Sequence, residues 1–188
     1  MPTLLEETRA ALAGSWRLVA GRRDAPGYFS TDMRGLVSSF VALLISVAIT
    51  FLASGIVAPA GAEISTFAAL LQNALSYAGI MAPTWVIFNL LGFAGRFVAF
   101  VTVENWLTAF VNLAVTGAAL VSGNTLLTFV VAAAGVITLV ARINNARLVV
   151  GMKAAQIAML VVAQIVGTLV ALLINVSLFG LPYVPEMS

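Results

Sequence analysis

The stretch LVSSFVALLISVAITFLASGIV, residues 36–57, holds no charged side chain. As a helix rising 1.5 Å per residue it reaches about 33 Å, enough to cross the hydrocarbon layer of a bilayer. It therefore reads as a membrane span. Arg34 marks its polar edge, Ser30 or Asp32 can cap its start, and Ala58, Pro59, Ala60 and Gly61 end it.

The same reading extends along the chain. Residues 65–95 form a second apolar stretch that would be about 46 Å long if fully helical, too long for an upright span. Pro83, with Gly79 before it and Gly92 and Gly95 after it, predicts a kink or break, so this segment is expected to be tilted, bent or partly re-entrant. A third span covers 97–121 and ends at Ser122, Gly123 and Asn124, a link so short that the next helix must return antiparallel. The fourth, 125–141, carries Ala132, Ala133, Ala134 and Gly135, a small-residue face that lets another helix approach. The fifth runs over 154–179, before Pro182 and Pro185.

Ahead of these spans, Thr3 and Glu6 make a capping box, and Leu5, Leu12, Trp16 and Val19 fall on one helical face. Trp16 with Arg9 and Arg17 fits a helix lying in the headgroup layer; docking on the protein's own cytoplasmic surface is the alternative. Glu6, Glu7 and Asp24, without a continuous apolar run, argue against a secretory signal. The expected fold is thus all-α: an integral membrane bundle of five transmembrane helices (35–181) with an N-terminal amphipathic interfacial helix in a cytoplasmic segment (1–34) and a short tail (182–188).

Composition agrees. Hydrophobic residues make up 62% of the chain and charged ones 9%, against about a quarter charged in soluble domains. Cysteine and histidine are absent, which removes thiolate nucleophiles, disulfides, the usual zinc sites and imidazole acid–base chemistry. No phosphate-binding Gly-rich loop ends in Lys-Ser or Lys-Thr, and serine has no histidine to activate it. No enzyme, cofactor, metal or nucleic-acid partner is expected.

Charge orients the bundle, because cytoplasmic loops retain Arg and Lys. With the N-terminus inside, Arg9, Arg17, Arg22, Arg23 and Arg34, then Arg96, then Arg142, Arg147 and Lys153 all fall on the inner side. Glu63 and Glu186 fall outside. The expected location is the bacterial inner membrane, with a cytoplasmic N-terminus and a periplasmic C-terminus. Trp16, Arg17, Arg22, Arg23, Arg142, Arg147 and Lys153 are the residues expected at the membrane surface, where the 142–147 stretch can touch anionic lipid.

Glu104 is the one carboxylate placed inside a span, and intramembrane ionisable groups are costly. Asn105, Thr108, Asn112 and Thr116 follow it at spacings of three to four; Gln164, Thr168 and Asn175 mark the fifth span. One reading is a polar cavity between spans three and five, with Glu104 as a proton or cation site and Arg96 as counter-charge. The other is that these groups pair across helices to fix packing. Gln72, Asn73 and Asn89 can join such a cavity or satisfy carbonyls freed by Pro83. Trp85, Trp106 and Tyr183 read as interface anchors or packing residues.

Three local features carry a resemblance. Gly21, Arg22, Arg23, Asp24, then Tyr28, Phe29, Ser30, Asp32, Gly35, Ser39 and Phe40 lead into the first span; Arg96 to Phe100 with Asn105 and Trp106 open the third; and 142–151 is basic. In these, and in the order of a cytoplasmic segment and five spans, the chain resembles Yip1-like membrane proteins, in particular small alphaproteobacterial members. Residues 32–36 differ from the Asp-Leu-Tyr-Gly-Pro motif of eukaryotic relatives in lacking its tyrosine and proline. The resemblance implies a role in membrane trafficking and partner binding.

The functional expectation is a non-enzymatic inner-membrane protein that organises or accompanies other membrane components, in contact with lipids and as a homo-oligomer or in a larger complex. The alternative is a small solute, ion or proton transport component using the polar path between spans three and five, its substrate unspecified.

Overall fold

A computed structural model describes residues 3–57, 65–121 and 124–179. The expected turn at 58–61, Glu63, Ser122, Gly123 and the tail with Pro182, Tyr183, Pro185 and Glu186 lie outside the described residues. There is no strand among the described residues.

Helix α1 is Leu4–Val19. The expected capping box is present: Thr3 N–H donates to Glu6 Oε2 at 2.7 Å, and Glu6 N–H donates to Thr3 Oγ1 at 3.3 Å. A short turn, Ala25–Tyr28, leads to α2, Met33–Val57. Of the two candidate caps Asp32 is the one used, its Oδ1 accepting from Gly35 N–H at 2.8 Å. Gly35 is required there, since a Cβ would come within 1.7 Å of the Ser30 carbonyl oxygen.

Of the outcomes expected for the long second stretch, a break at Pro83 does not occur. Helix α3, Thr66–Leu90, runs through Pro83 without a break and stops at Gly92, whose φ of 76° turns the chain out of the helix. Phe93 N–H closes the end on Phe88 O at 2.7 Å. The helix is therefore about 37 Å long, the length of an ordinary span rather than an overlong one. A 3₁₀ turn, Ala94–Arg96, passes directly into α4, Phe97–Val121.

Helix α5, Asn124–Asn144, continues into a π-helical turn, Asn145–Val150, and α6 follows at Ala154–Phe179. The expected basic loop at 142–153 is thus mostly helix, and only 151–153 connect the two. Gly151, at φ 86°, makes the reversal. Four helical stretches, Met33–Gly55, Ala94–Val121, Leu126–Val150 and Ala154–Phe179, are long and apolar enough to cross a membrane. The chain is a helical membrane protein. Helix α3 matches them in length but is diluted by Gln72, Asn73, Ser76 and Asn89.

Partner residues fix how the helices run. Asn105 with Ser39, Asn112 with Ser46 and Thr116 with Thr50 all keep a separation of 66 residues, so α2 and α4 are parallel and in register. Glu104 with Arg142 and Phe100 with Asn145 set α4 and α5 antiparallel. Thr84 with Gln164 and Gly79 with Ala171 do the same for α3 and α6. Two apolar clusters join these pairs. Ala11, Leu18, Phe29, Val103, Trp106 and Ala141 seat α1 against α4 and α5. Phe88, Phe100, Val150, Met152, Ile157 and Leu160 fasten the α3/α6 pair to the start of α4, with the Phe88 and Phe100 rings 5.1 Å apart.

Helix α1 carries three stripes at 3.6 residues per turn. Glu7, Ala11, Gly14, Ser15 and Leu18 are buried against the bundle. Leu5, Leu12 and Trp16 stay exposed on a second stripe, while Glu6 and Arg9 are exposed on a third. Of the apolar stripe read from the sequence only Val19 packs on the core; the docking face is Ala11, Gly14, Ser15 and Leu18, with Tyr28 and Phe29 closer to Gly14 than a Cβ allows.

Proline 83 also has a packing consequence. Lacking N–H, it leaves the carbonyl one turn earlier, Gly79 O, without its helical donor. That carbonyl faces Gly167 on α6, where a Cβ would lie 2.1 Å from it and 2.6 Å from Pro83 Cγ. Only glycine admits this crossing, in which a Cα–H can stand in as a weak donor. Gly167→Val is expected to cost about 1–3 kcal/mol by overpacking, read as a lower midpoint of unfolding in detergent; Gly117→Val, where a Cβ meets nothing within 4 Å, should leave the midpoint unchanged.

Candidate functional site

Glu104 lies seven residues into α4, about 10 Å from its first residue, and is 1% exposed. It needs partners where lipid supplies none, and α5 provides them. Arg142 Nε donates to Glu104 Oε2 at 2.8 Å, and Asn145 Nδ2 donates to Oε1 at 3.1 Å. The expected counter-charge was Arg96; that residue is exposed in the 3₁₀ turn before α4, and the ion pair of Glu104 is with Arg142.

At the junction of α5 and the π turn two neighbouring asparagines serve different helices. Asn145 Nδ2 also donates to Phe100 O at 3.1 Å, while Asn144 Nδ2 donates to Leu18 O at 2.9 Å and so holds the end of α1. At 3.6 residues per turn consecutive side chains already point about 100° apart, enough for the two asparagines to reach different helices. Arg142, expected at the membrane surface, is half-buried as the ion-pair partner of Glu104. Asn144 and Asn145 are buried, so the 142–147 stretch does not present a continuous face to lipid.

The stripe on α4 faces α2. Asn105 accepts from Tyr77 OH at 2.9 Å through Oδ1 and donates to Ser39 Oγ at 3.1 Å through Nδ2. Asn112 Nδ2 donates to Ser46 Oγ at 3.4 Å, and the Thr50 and Thr116 hydroxyls share a hydrogen at 2.8 Å. Leu43 on α2 and Ala109 on α4, both buried, stand between the polar pairs at the same 66-residue separation. On α2 the series Ser39, Leu43, Ser46, Thr50, Ala53 advances by four, three, four and three, a heptad seam. Sequence reasoning passed over it because serine and threonine do not register as a hydrophobic repeat; the seven-residue spacing of Ser39 and Ser46 was the available signal.

Span five does not share this site, which corrects the expected polar path between spans three and five. Gln164 Nε2 donates to Thr84 Oγ1 on α3 at 2.8 Å. Thr168 and Asn175 turn back to their own helix, on Gln164 O and Ala171 O. Asn73 and Asn89 likewise bond Ala69 O and Trp85 O, not the carbonyl freed by Pro83. Trp106 is buried and stacked 5.7 Å from Phe110; Trp85 is exposed.

Thr108 instead lines a cavity of about 340 Å³ between α2, α3 and α4, together with Asn112 and Arg142. Of the other surface candidates, Arg17 is paired with Asp24 and lies 4.6 Å over the Tyr28 ring, and Arg22 Nε is 3.6 Å from Asp24. Trp16, Arg23, Arg147 and Lys153 are exposed. No group of three or more acidic residues among the described residues is placed to hold a metal ion. No protein-family model, curated protein or solved structure matches the chain.

Removing one partner of a buried ion pair strands the other, at a cost of about 3–5 kcal/mol, whereas replacing both by apolar residues is often neutral. Glu104→Leu alone is expected to destabilise the protein by that amount, and adding Arg142→Met to recover most of it. A double-mutant cycle on unfolding in detergent reads the coupling; additive losses would show that the two residues do not act as a pair.

Proposed function

We propose that the protein is a non-enzymatic assembly or organising component of a bacterial inner membrane, with five spans and its N-terminus in the cytoplasm. The observation that carries the reading is α5. Only 6% of its most apolar window is buried against the rest of the chain, against 50% for α4. Its Ala132 and Ala133 are exposed, and a Cβ on Gly135 would touch nothing within 4 Å. Small residues on an uncovered membrane helix favour close approach of another helix, and a homo-oligomer or a larger complex would supply it.

Alternation of the helices supports a five-span count. Helix α3 runs antiparallel along α6, so if α6 crosses the membrane α3 crosses beside it. Parallel α2 and α4 agree, each two spans from the next. The gathering of Arg17, Arg22, Arg23, Arg34, Arg96, Arg147 and Lys153 at one end of the helices supports the orientation. An exposed apolar stripe on α1 beside an exposed polar one suits a helix at the inner interface, touching protein, lipid and water at once. The resemblance to Yip1-like proteins rests on the same order of segments.

Transport is a second reading with a changed route, since the cavity reached by Arg142 lies between α2, α3 and α4. Against it, the amides of α4 are spent on Ser39, Ser46 and Tyr77. The assembly reading is tested by the intact mass of the protein released in mild detergent, compared with Gly135→Leu. A defined oligomer or complex that the substitution dissociates, with helicity unchanged, is the expected result; a lone chain, or an assembly indifferent to the substitution, refutes it.

A further inference from the structure

Three cavities follow one another along the seam where α2 and α3 fail to close. Leu36, Phe40, Tyr77 and Met81 line the first, of about 180 Å³. Leu43, Val47, Leu70 and Ala74 belong to the second, of about 340 Å³. Thr50, Ser54 and Ala69 belong to the third, of about 160 Å³. Neighbours share walls: Phe40 and Tyr77 between the first two, Val47 and Asn73 between the last two. From Leu36 to Ser54 the seam is about 27 Å long, close to the depth of the hydrocarbon layer.

The seam has a cause in the packing already described. Helix α4 holds α2 through the polar heptad seam, and α6 holds α3 through the glycine crossing. The two pairs are fastened at the Phe88 and Phe100 cluster, near the start of α4. Between α2 and α3 the Phe40 and Tyr77 rings meet edge-on at 6.0 Å.

Polarity within the seam is uneven. Its middle cavity is walled chiefly by aliphatic side chains but reached by Arg142, Asn112 and Thr108. Among the described residues Arg142 makes one hydrogen bond, Nε to Glu104. Its side chain is 18% exposed, and its two Nη groups are the donors left for whatever fills the cavity. A guanidinium within the membrane requires oxygen acceptors. Because Glu104 already balances its charge, those acceptors need carry none. We propose that the seam is a lipid site: one acyl chain of a membrane phospholipid lies between α2 and α3, and the ester oxygens at the head of that chain accept from Arg142.

The full-length protein purified in mild detergent tests this, with retained lipid measured by native mass spectrometry. Ala74→Phe fills the middle of the seam without replacing a polar group. The wild type is expected to keep a bound phospholipid and Ala74→Phe to lose it, with helicity and dispersity unchanged. No phospholipid on the wild type, a free fatty acid in its place, or equal retention by a folded Ala74→Phe overturns the proposal. A second measurement does not depend on that variant folding: a phospholipid with a photoreactive acyl chain is cross-linked to the wild type in vesicles. Labelling is expected at Leu43, Val47, Leu70 and Ala74; labelling confined to the exposed faces of α5 and α6 overturns it.

Discussion

Hydrocarbon offers no hydrogen-bond partner, and every feature of this bundle depends on that. A serine, asparagine or carboxylate written into a span must find its complement on another helix or on its own backbone. The chain uses both solutions. Thr84, Thr102, Thr138, Thr168, Asn89 and Asn175 fold back on carbonyls four residues earlier. Ser39, Ser46, Thr50, Asn105, Asn112, Thr116, Gln164 and Glu104 reach across, and these choose which helices lie together. Each neutral interhelical bond contributes only about 0.6 kcal/mol on average. Their weight lies in register: a slip of one residue would break all three α2/α4 pairs at once.

The Glu104 site differs in kind, because a charge leaves less room for error than an amide. It joins α4, α5 and, through the adjacent Asn144, the end of α1. Neighbouring asparagines at the start of the π turn, Asn144 and Asn145, reach different helices. With α2 held to α4 and α3 held to α6, the molecule becomes two groups of helices fastened at one end and open along a seam. Function is proposed at the places this architecture leaves uncovered: the seam itself and the bare length of α5.

Much of this was legible in the residues. Charge-free runs located α2 and α6, a run broken only by Glu104 located α4, Thr3 and Glu6 fixed the start of α1, and the polar stripe on α4 was visible at helical spacing. Partners were harder to see. Arg96 stood nearest Glu104 in sequence, yet Arg142 pairs with it, since ion pairing across antiparallel helices depends on where the intervening turn falls. Pro83 read as a kink or a break because an isolated helix loses a hydrogen bond there; against Gly167 the helix continues without a break. The 142–153 segment read as a basic loop because Arg142, Arg147 and Lys153 are charged, although Ile143, Leu148, Val149 and Val150 supplied enough apolar surface to keep it helical. The α1 docking face was missed because Ala11, Gly14 and Ser15, which lie between Glu7 and Leu18 on it, form no hydrophobic pattern.

The central claim is the parallel, in-register pairing of α2 with α4 through their polar side chains. The absence of native cysteine makes disulfide trapping in membranes the most direct measurement. Paired substitutions Ser39→Cys with Asn105→Cys, and Thr50→Cys with Thr116→Cys, should cross-link within one chain on mild oxidation. Ser39→Cys with Thr116→Cys should not, the two lying about 16 Å apart along the helix axis. Cross-linking of that last pair, together with Thr50→Cys and Asn105→Cys, in place of the first two would mean that the helices run antiparallel, and would contradict the account.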